Sequence, residues 1–392
     1  MSGGQSQSDI KTYQYLAGHP EIFEAIGEAV GDPLRIQKRL RERFPDNAVR
    51  LALTLAELRN KTARRGFPHS ERIWFDRTRL EQATAWPVAV HKAARFSGRT
   101  YDFCCGAGVD ALALAERAEV VALDVDPLAC LLTELNAELF GARDRIEIRQ
   151  QPVEEFTARD GLLHVDPDRR QGAVGRAVRV EDYVPSIESL RHYTREFPGG
   201  AIKVSPAANF GGKFEDVEIE LVSLHGECKE ATIWFGSLAD AQTWRATALP
   251  SGATIAGDPL AAEPTLAALG RYLYDPDPAL VRAGLIDLFC EEAGIARLDL
   301  AEEYLASDVL VQSPFTTAFR VLAELPNNER TLKRTLRAMG AGVLEIKARR
   351  LPIDIMRLEK TLPRDGDRPL VVLFCRIAAK SRIVIAERVS GT

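Results

Sequence analysis

This chain has little of what usually announces a function. Its six cysteines (Cys104, Cys105, Cys130, Cys228, Cys290 and Cys375) are scattered over 392 residues without any C-x-x-C spacing. The adjacent Cys104 and Cys105 suit neither an ordinary disulfide nor a zinc site, so reduced thiols and no bound metal are expected. No run approaches the roughly 18 apolar residues of a membrane span, so no membrane partner is expected. The opening MSGGQSQSDIK is polar and has no apolar core, so the expectation is no secretory signal and a cytoplasmic location. Positive charge is not in excess. Lys and Arg total 51 against 56 Asp and Glu, a net charge of −5, which excludes a global basic field and leaves only a local one for nucleic acid. Internal repeats and low-complexity tracts are absent too. What the chain does have is apolar bulk, 46% of its residues, and a length that predicts two or three domains.

The most informative segment is Tyr101–Asp126, YDFCCGAGVDALALAERAEVVALDVD. An apolar run ends in Asp102, a turn follows at Gly106-Ala107-Gly108, and an amphipathic helix is predicted over Ala111–Arg117. A second apolar strand, Val120–Leu123, then closes on Asp124. That order builds the first half of a nucleotide-binding parallel sheet. The glycines allow close backbone approach, and the helix start offers free N–H groups. Asp124, at a strand tip, can accept both hydroxyls of a ribose, and Val125 follows it into the same site. An adenosine-containing ligand is the expectation.

Gly106, Gly108 and Ala111 also satisfy the looser dinucleotide pattern G-x-G-x-x-G/A. Three details favour a different ligand. Asp102 places a negative charge where a pyrophosphate would be repelled, but where a sulfonium and an α-amino group are welcome. Cys104 and Cys105 approach the turn without adding a phosphate donor, and read as small apolar residues lining it. The following helix, DPLACLLTELNAELFG, carries Asn136 and Gly141 as class I methyltransferases do, with Asp126-Pro127 as its cap and first residue. The segment resembles the S-adenosylmethionine (SAM) site of that superfamily.

Around this segment, residues from about Ile10 to Arg65 carry apolar positions at helical spacing. Asp32-Pro33 predicts a helix start, and Pro45-Asp46-Asn47 a break. The basic end of this region (Arg59, Lys61, Arg64, Arg65) reads as a solvated helix end, with nucleic-acid contact as the alternative. Helix is expected again just before the glycine turn. Further strands are predicted at Arg145–Arg149, Gly161–Val165 and Gly200–Val204, then an antiparallel pair, Val217–Leu224 and Ala231–Phe235, joined at Gly226. The stretch Pro250–Asp277, rich in Ala, Gly and Pro, reads as a connection. Beyond it an α/β unit is expected. It has a helix at Ala279–Ala293, a strand at Phe319–Leu325, a basic helix opening at Glu329, a strand at Val343–Ala348 and a hairpin over Leu370–Glu387.

A second constellation is LLHVDPDRR, Leu162–Arg170. It falls at the end of the fourth strand, where open α/β sheets place their active sites. In amino-directed methyltransferases this position often reads Asp/Asn-Pro-Pro-aromatic. There a carboxamide or carboxylate and a backbone carbonyl accept hydrogen bonds from the target amine. Asp166 and Pro167 fit, while Asp168 replaces the second proline and Arg169 the aromatic. An arginine plane can stack on a base or grip a phosphate in its place. The structural alternative for Asp166-Pro167 is helix or turn capping.

LEQAT (Leu80–Thr84), DFCCGAGVDALALA, DPDRR, IKVSP (Ile202–Pro206) and GECKEATIWFG (Gly226–Gly236) occur in this order. Together they resemble bacterial class I methyltransferases with a C-terminal THUMP-like domain, and the pre-sheet segment is similar to trimethylguanosine synthase-type enzymes. The resemblance implies an α/β fold: a seven-stranded Rossmann-like sheet, an N-terminal helical segment (1–68), a SAM domain (69–257) and a small THUMP-like α/β domain (258–392). It implies SAM as cofactor, bound by Asp102, Cys104, Gly106, Gly108, Asp124 and Val125. Gln82 would lie near the methionine moiety, or else be a plain surface amide. Asp166, Pro167, Asp168 and Arg169 would form the transfer site. The adenine amine has no evident acid partner, since Gln150 and Gln151 precede Pro152-Val153-Glu154.

THUMP domains are associated with RNA-modifying enzymes, so the resemblance implies an RNA substrate, tRNA ahead of rRNA. A basic stretch of the last domain could hold its phosphates: Arg330, Lys333, Arg334, Arg337, Lys347, Arg349, Arg350, Arg357 and Lys360 outnumber Glu345, Asp354 and Glu359. An ordinary solvated face is the alternative. The expected activity is methylation of an RNA nitrogen. Methylation of a protein or small molecule, or a silent RNA-binding protein, are the competing readings.

Overall fold

The structure, a computed structural model, describes residues 3–28, 33–169, 179–240 and 243–389. It divides into two compact units, Met1–Glu218 with Lys229–Ala241, and Ile219–Cys228 with Gln242–Thr392. The first unit opens with helices α1 (Gly3–Gly18), α2 (Glu21–Gly27), α3 (Pro33–Arg41) and α4 (Asp46–Arg64). Pro45 separates the last two as expected, while Asp32 lies outside the described residues. Two short helices follow, α5 (Arg77–Gln82) and α6 (Trp86–Ala93), with the Asp76 carboxylate capping the first.

The sheet of this unit begins with β1 (Gly98–Phe103), α7 (Val109–Leu114), β2 (Ala118–Asp124), α8 (Pro127–Leu139), β3 (Ile146–Gln150) and β4 (Leu162–Val165). Next come the short strands β5 (Asp168–Arg169) and β6 (Tyr183–Val184), then α9 (Ile187–Glu196) and β7 (Gly199–Val204). Strands β8 (Val217–Leu224) and β9 (Glu227–Gly236) follow, joined by His225-Gly226, both in the left-handed region. The order is β3-β2-β1-β4-β7-β9, with the first five parallel and β9 antiparallel to β7. Parallel strands covered on both faces must be apolar throughout, and β1 from Thr100, β2 and β4 are buried almost residue by residue.

The N-terminal helices belong to this same core. Tyr13, Leu16, Leu55 and Leu58 cluster with Ala111, Leu112, Val120 and Ala122. Arg59 is correspondingly buried, against expectation. Its guanidinium donates to the carbonyls of Ile73 and Arg72 and stacks over Phe23, so the basic run is neither a solvated end nor a free phosphate site at that residue.

The second unit adds β10 (Trp244–Leu249), parallel to β8, and β11 (Ala253–Gly257), antiparallel to β10. The expected total of seven strands therefore does not hold: of the expected antiparallel pair, β9 completes the first unit and most of β8 belongs to the second. The unit continues with β12 (Tyr272–Pro276), α10 (Pro278–Arg282), α11 (Ile286–Ala293), β13 (Ala296–Arg297), β14 (Leu305–Ser307) and β15 (Thr316–Pro326). It ends with α12 (Glu329–Ala338), β16 (Ala341–Ala348), α13 (Ile355–Thr361), β17 (Arg368–Ile377) and β18 (Lys380–Arg388). These strands form a seven-stranded sheet in the order β13-β14-β12-β15-β18-β17-β16.

Two expectations are corrected here. The stretch read as a connection contains β11 (ATIAG), disguised by its small residues, and β12 (YLYDP), whose Asp-Pro end reads as a turn. The helix expected at 279–293 is two helices, because Gly284, with φ +73°, turns the chain between them. The hairpin at the C-terminus is as expected, turning at Ala378-Ala379, both left-handed. Among the described residues no helix is long and apolar enough to cross a membrane.

Candidate active site

The carboxyl ends of β1, β2 and β4 meet at the glycine turn. Gly108 sits at φ +81° as the residue before α7, and a Cβ there would come within 2.8 Å of Thr133 Cγ2. Its N–H donates to the carbonyl of Cys105, at 2.8 Å, which closes the turn. Gly106 is also left-handed, at φ +59°, with open space where its side chain would be. Cys104 adopts φ +62°, a conformation that costs a non-glycine residue, and this holds the backbone curled at the strand end.

Asn136 on α8 braces the turn from behind. Its amide nitrogen donates to the carbonyls of Ala107 (2.9 Å) and Trp74 (3.0 Å), and its oxygen accepts the Trp74 N–H at 2.9 Å. Asp126 caps α8 by accepting the Leu128 N–H, as expected, and it also pairs with Arg79 of α5.

Asp124 accepts the N–H of Gly106 at 3.0 Å through one oxygen and the N–H of Asp126 at 2.9 Å through the other. A carboxylate has about four acceptor positions, so two remain for a pair of hydroxyls. Burial raises the Asp124 carboxyl above its ordinary value, and those two backbone N–H groups work against the rise. Val125 beside it is 61% exposed, an apolar platform at the strand tip. The Gln151 N–H donates to the Asp124 carbonyl, which places the Gln150-Gln151 pair next to it.

Asp102 is fully buried. Its Oδ1 lies 2.6 Å from His164 Nδ1, and its Oδ2 has no hydrogen-bond partner among the described residues. Burial raises its carboxyl, and His164 opposes the rise. An orphaned buried acceptor beside the turn is what an α-amino group requires. Burial raises the Cys104 thiol well above its ordinary value, and Asp124, Asp166, Asp168 and Asp102 add to the rise. Four carboxylates thus converge on this turn, an environment that favours a cation over a pyrophosphate. The residues present fit SAM.

Asp166 follows β4, and its N–H donates to the Phe103 carbonyl at 3.2 Å, beside the turn. Its Oδ2 is 2.6 Å from Nζ of Lys203 on β7, and that ammonium also donates to the Gln82 carbonyl at 3.3 Å. Gln82 is exposed at the end of α5, so its main chain, more than its amide, links it to the site. Pro167 is buried and Asp168 exposed. Asp168 and Arg169 pair as a short strand with Val184 and Tyr183, so no helix starts at Asp166-Pro167 and the helix-capping reading fails. Arg170 lies outside the described residues.

Behind the turn lies a buried charge network that sequence reasoning missed. Lys92 of α6 pairs with Asp110 Oδ1 (3.0 Å) and Glu230 Oε1 (2.8 Å), and Thr84 donates to Asp110 Oδ2 at 2.7 Å. His164 Nε2 is 4.0 Å from the same Asp110 oxygen. The available signal was a charged or polar residue inside an apolar element: Lys92 in VAVHKAA, His164 in LLHV, Lys203 in AIKV.

The basic stretch of the second unit is largely committed. Lys347 and Arg349 pair with Asp275, Arg350 with Glu303, and Arg357 and Lys333 with Glu329. Among the described residues, Arg330, Arg334, Arg337 and Lys360 are exposed and form no ion pair.

A doubly covered parallel sheet with an acidic glycine turn defines a class I methyltransferase architecture, and comparison with known proteins agrees. An uncharacterized S-adenosylmethionine-dependent methyltransferase of Mycobacterium tuberculosis is 34% identical over 310 residues, covering 77% of this chain and 84% of the relative, in both strains CDC 1551 / Oshkosh and H37Rv. Residues 316–388 match the family model described as THUMP domain-like. The crystal structure of a protein from Porphyromonas gingivalis W83, provisionally named a methyltransferase, superposes with a TM-score of 0.73 at 18% identity, covering 89% of this chain and 92% of that one. The chain belongs to the S-adenosylmethionine-dependent methyltransferase family, with a THUMP-like region at its C-terminal end.

Proposed function

We propose that this enzyme methylates a nitrogen of a base in structured RNA, with tRNA ahead of rRNA. The observation that carries the reading is the position of Asp166 at the end of β4, where its N–H donates to the Phe103 carbonyl beside the acidic turn. SAM, when bound, supplies an electrophilic methyl group on a sulfonium. Asp102, Cys104, Gly106, Gly108, Asp124 and Val125 would hold it: Asp124 the ribose hydroxyls, Asp102 the amino group, and Val125 the adenine face. Gln82 contributes through its main chain.

The protein's part in the transfer is alignment. The Asp166 carboxylate and the Pro167 carbonyl accept the hydrogens of an acceptor amine, which turns the nitrogen lone pair toward the methyl. With SAM held there, its methyl would pass to the nitrogen, the electron pair of the broken C–S bond would remain with the thioether, and the nitrogen would shed a proton. Asp166 is placed to receive it. Asp168 and Arg169 border the acceptor.

The RNA half of the reading rests on the THUMP-like match and on Arg330, Arg334 and Arg337. These lie at i, i+4 and i+7 on α12, so they share one helix face with no acidic partner. Such a stripe positions phosphates without reading bases. The test is transfer from methyl-labelled SAM to separated small RNA, ribosomal RNA, protein and metabolite fractions from cells lacking the protein. Label in an RNA fraction, absent with wild-type RNA, is expected. Label confined to protein or metabolites would overturn the RNA reading.

A further inference from the structure

We propose that Lys203 is a positioning residue of the transfer site, whose ammonium clamps one oxygen of Asp166 and ties it to the end of α5. The inference rests on the reading of Asp166 as the group that orients the acceptor amine.

Three elements meet at this ammonium. Register pairing places Val165 of β4 beside Ile202 of β7, so the next residues, Asp166 and Lys203, emerge side by side. Nζ then lies 2.6 Å from Asp166 Oδ2 and 3.3 Å from the Gln82 carbonyl. The side chain is only 14% exposed. An ammonium so shielded in an otherwise apolar strand is expensive, and a packed aliphatic residue would serve stability at least as well. A functional use explains its presence better than a structural one. Lys203 takes Oδ2, and Oδ1 has no hydrogen-bond partner among the described residues. One oxygen is anchored and the other is left for an incoming amine. The clamp also fixes the carboxylate's rotation, so the acceptor lone pair is aimed in one direction.

The charges around Lys203 reinforce this use. Asp166, Asp110 and Glu230 attract it, while Lys92 repels it. Burial works to lower the Lys203 ammonium, and those carboxylates outweigh it, so the group stays charged and is no base itself. For Asp166 the balance is reversed. Burial raises its carboxyl, and Lys203 is the largest influence holding it down.

The test uses the full-length protein labelled with ¹³C at the aspartate carboxyls, with the Asp166 resonance assigned by Asp166→Asn. In Lys203→Met the Asp166 titration midpoint is expected to move up by about one to three pH units. Lys203→Arg, which keeps the charge, should stay near wild type. At saturating SAM, transfer to the labelled RNA fraction should fall roughly ten- to a hundredfold in Lys203→Met. The acid limb of its pH–rate profile should move to higher pH. If Lys203→Met does not bind SAM, the neutral Lys203→Gln carries the same comparison. An unmoved Asp166 midpoint would overturn the inference without any need for a substrate. So would wild-type transfer by Lys203→Met while Asp166→Ala is dead, and then the reading of Asp166 survives. Wild-type transfer by Asp166→Ala, which removes the acceptor oxygens altogether, would remove that reading and this inference together.

Discussion

His164 Nδ1 lies 2.6 Å from Asp102 Oδ1, across the register pair that joins β4 to β1, and neither side chain meets solvent. The contact fixes which Asp102 oxygen is spent inside the fold and which is left over for a ligand. It also favours the ionised carboxylate against a burial that favours the neutral one.

His164→Leu should therefore raise the Asp102 carboxyl further and weaken its hold on a cationic ligand. A loss of SAM affinity of about tenfold, or about 1.4 kcal/mol, is expected by calorimetry. The pH dependence has a definite sign. Because the folded Asp102 titrates above 3.8, wild-type affinity for SAM should rise as pH climbs through that raised value. In the variant the rise should come at higher pH. Affinity that is flat with pH in both proteins would contradict the assignment of Asp102.

Lys92→Met leaves Asp110 and Glu230 buried without their common cation, at a cost of about 3–5 kcal/mol. In the wild type, burial works to raise the Asp110 carboxyl, but Lys92, then His164 and Lys203, pull it well below the carboxylate range. That contribution to stability is present above pH 3.8 and fades only as pH falls through the lower folded value. Without Lys92 the burial effect prevails and the sign inverts, so stability should fall as pH rises above 4. Asp102, Asp124 and Asp166 oppose the wild-type trend. The informative quantity is thus the wild-type minus variant difference in denaturation midpoint between pH 3 and 7.

Asn136→Leu should destabilise the first unit by about 2–4 kcal/mol, since it strands the Ala107 and Trp74 carbonyls and the Trp74 N–H. Its marker is selectivity. Amide exchange should accelerate at Trp74 and around the glycine turn, while β15 to β18 exchange as in wild type. Uniform acceleration through both units would contradict a local brace.

Reversing Arg330, Arg334 and Arg337 to glutamate should weaken binding of bulk tRNA and flatten its salt dependence by roughly two to three in the log–log slope. SAM affinity should stay the same. An unchanged slope would mean that α12 is an ordinary solvated face.

β1, β2 and β4 were legible because apolar runs ending at or just before an acid are strong local signals, and β3 because its Ile146 and Ile148 alternate with polar residues. β3, β4 and β7 fall within a residue or two of their expected bounds, and Asp126-Pro127 caps α8 as its sequence implies. β11 was illegible for a local reason, since ATIAG has too little bulk to look like a strand. The polar network was illegible for a non-local one. Lys92 and Glu230 are 138 positions apart, Lys203 and Gln82 are 121 apart, and pairing at such separations leaves no periodicity to read. Gln82 meets Lys203 only through its backbone carbonyl, a group every residue carries, so its side chain gave no signal of that contact. The basic stretch misled by its composition, because Lys347, Arg349 and Arg350 had acidic partners far along the chain, at Asp275 and Glu303.

The N-terminal helices share one core with α7 and the glycine turn, and the rings of Tyr13 and Phe23 meet that of Trp74, whose main chain Asn136 holds at the back of the turn. A protein trimmed to begin after residue 68 would keep every residue assigned to SAM or to transfer. It would nonetheless uncover the apolar partners of Tyr13, Leu16, Leu55 and Leu58 and loosen Trp74. The N-terminal helices share the core that backs the glycine turn, and their loss should be felt first as aggregation and only then as weak affinity.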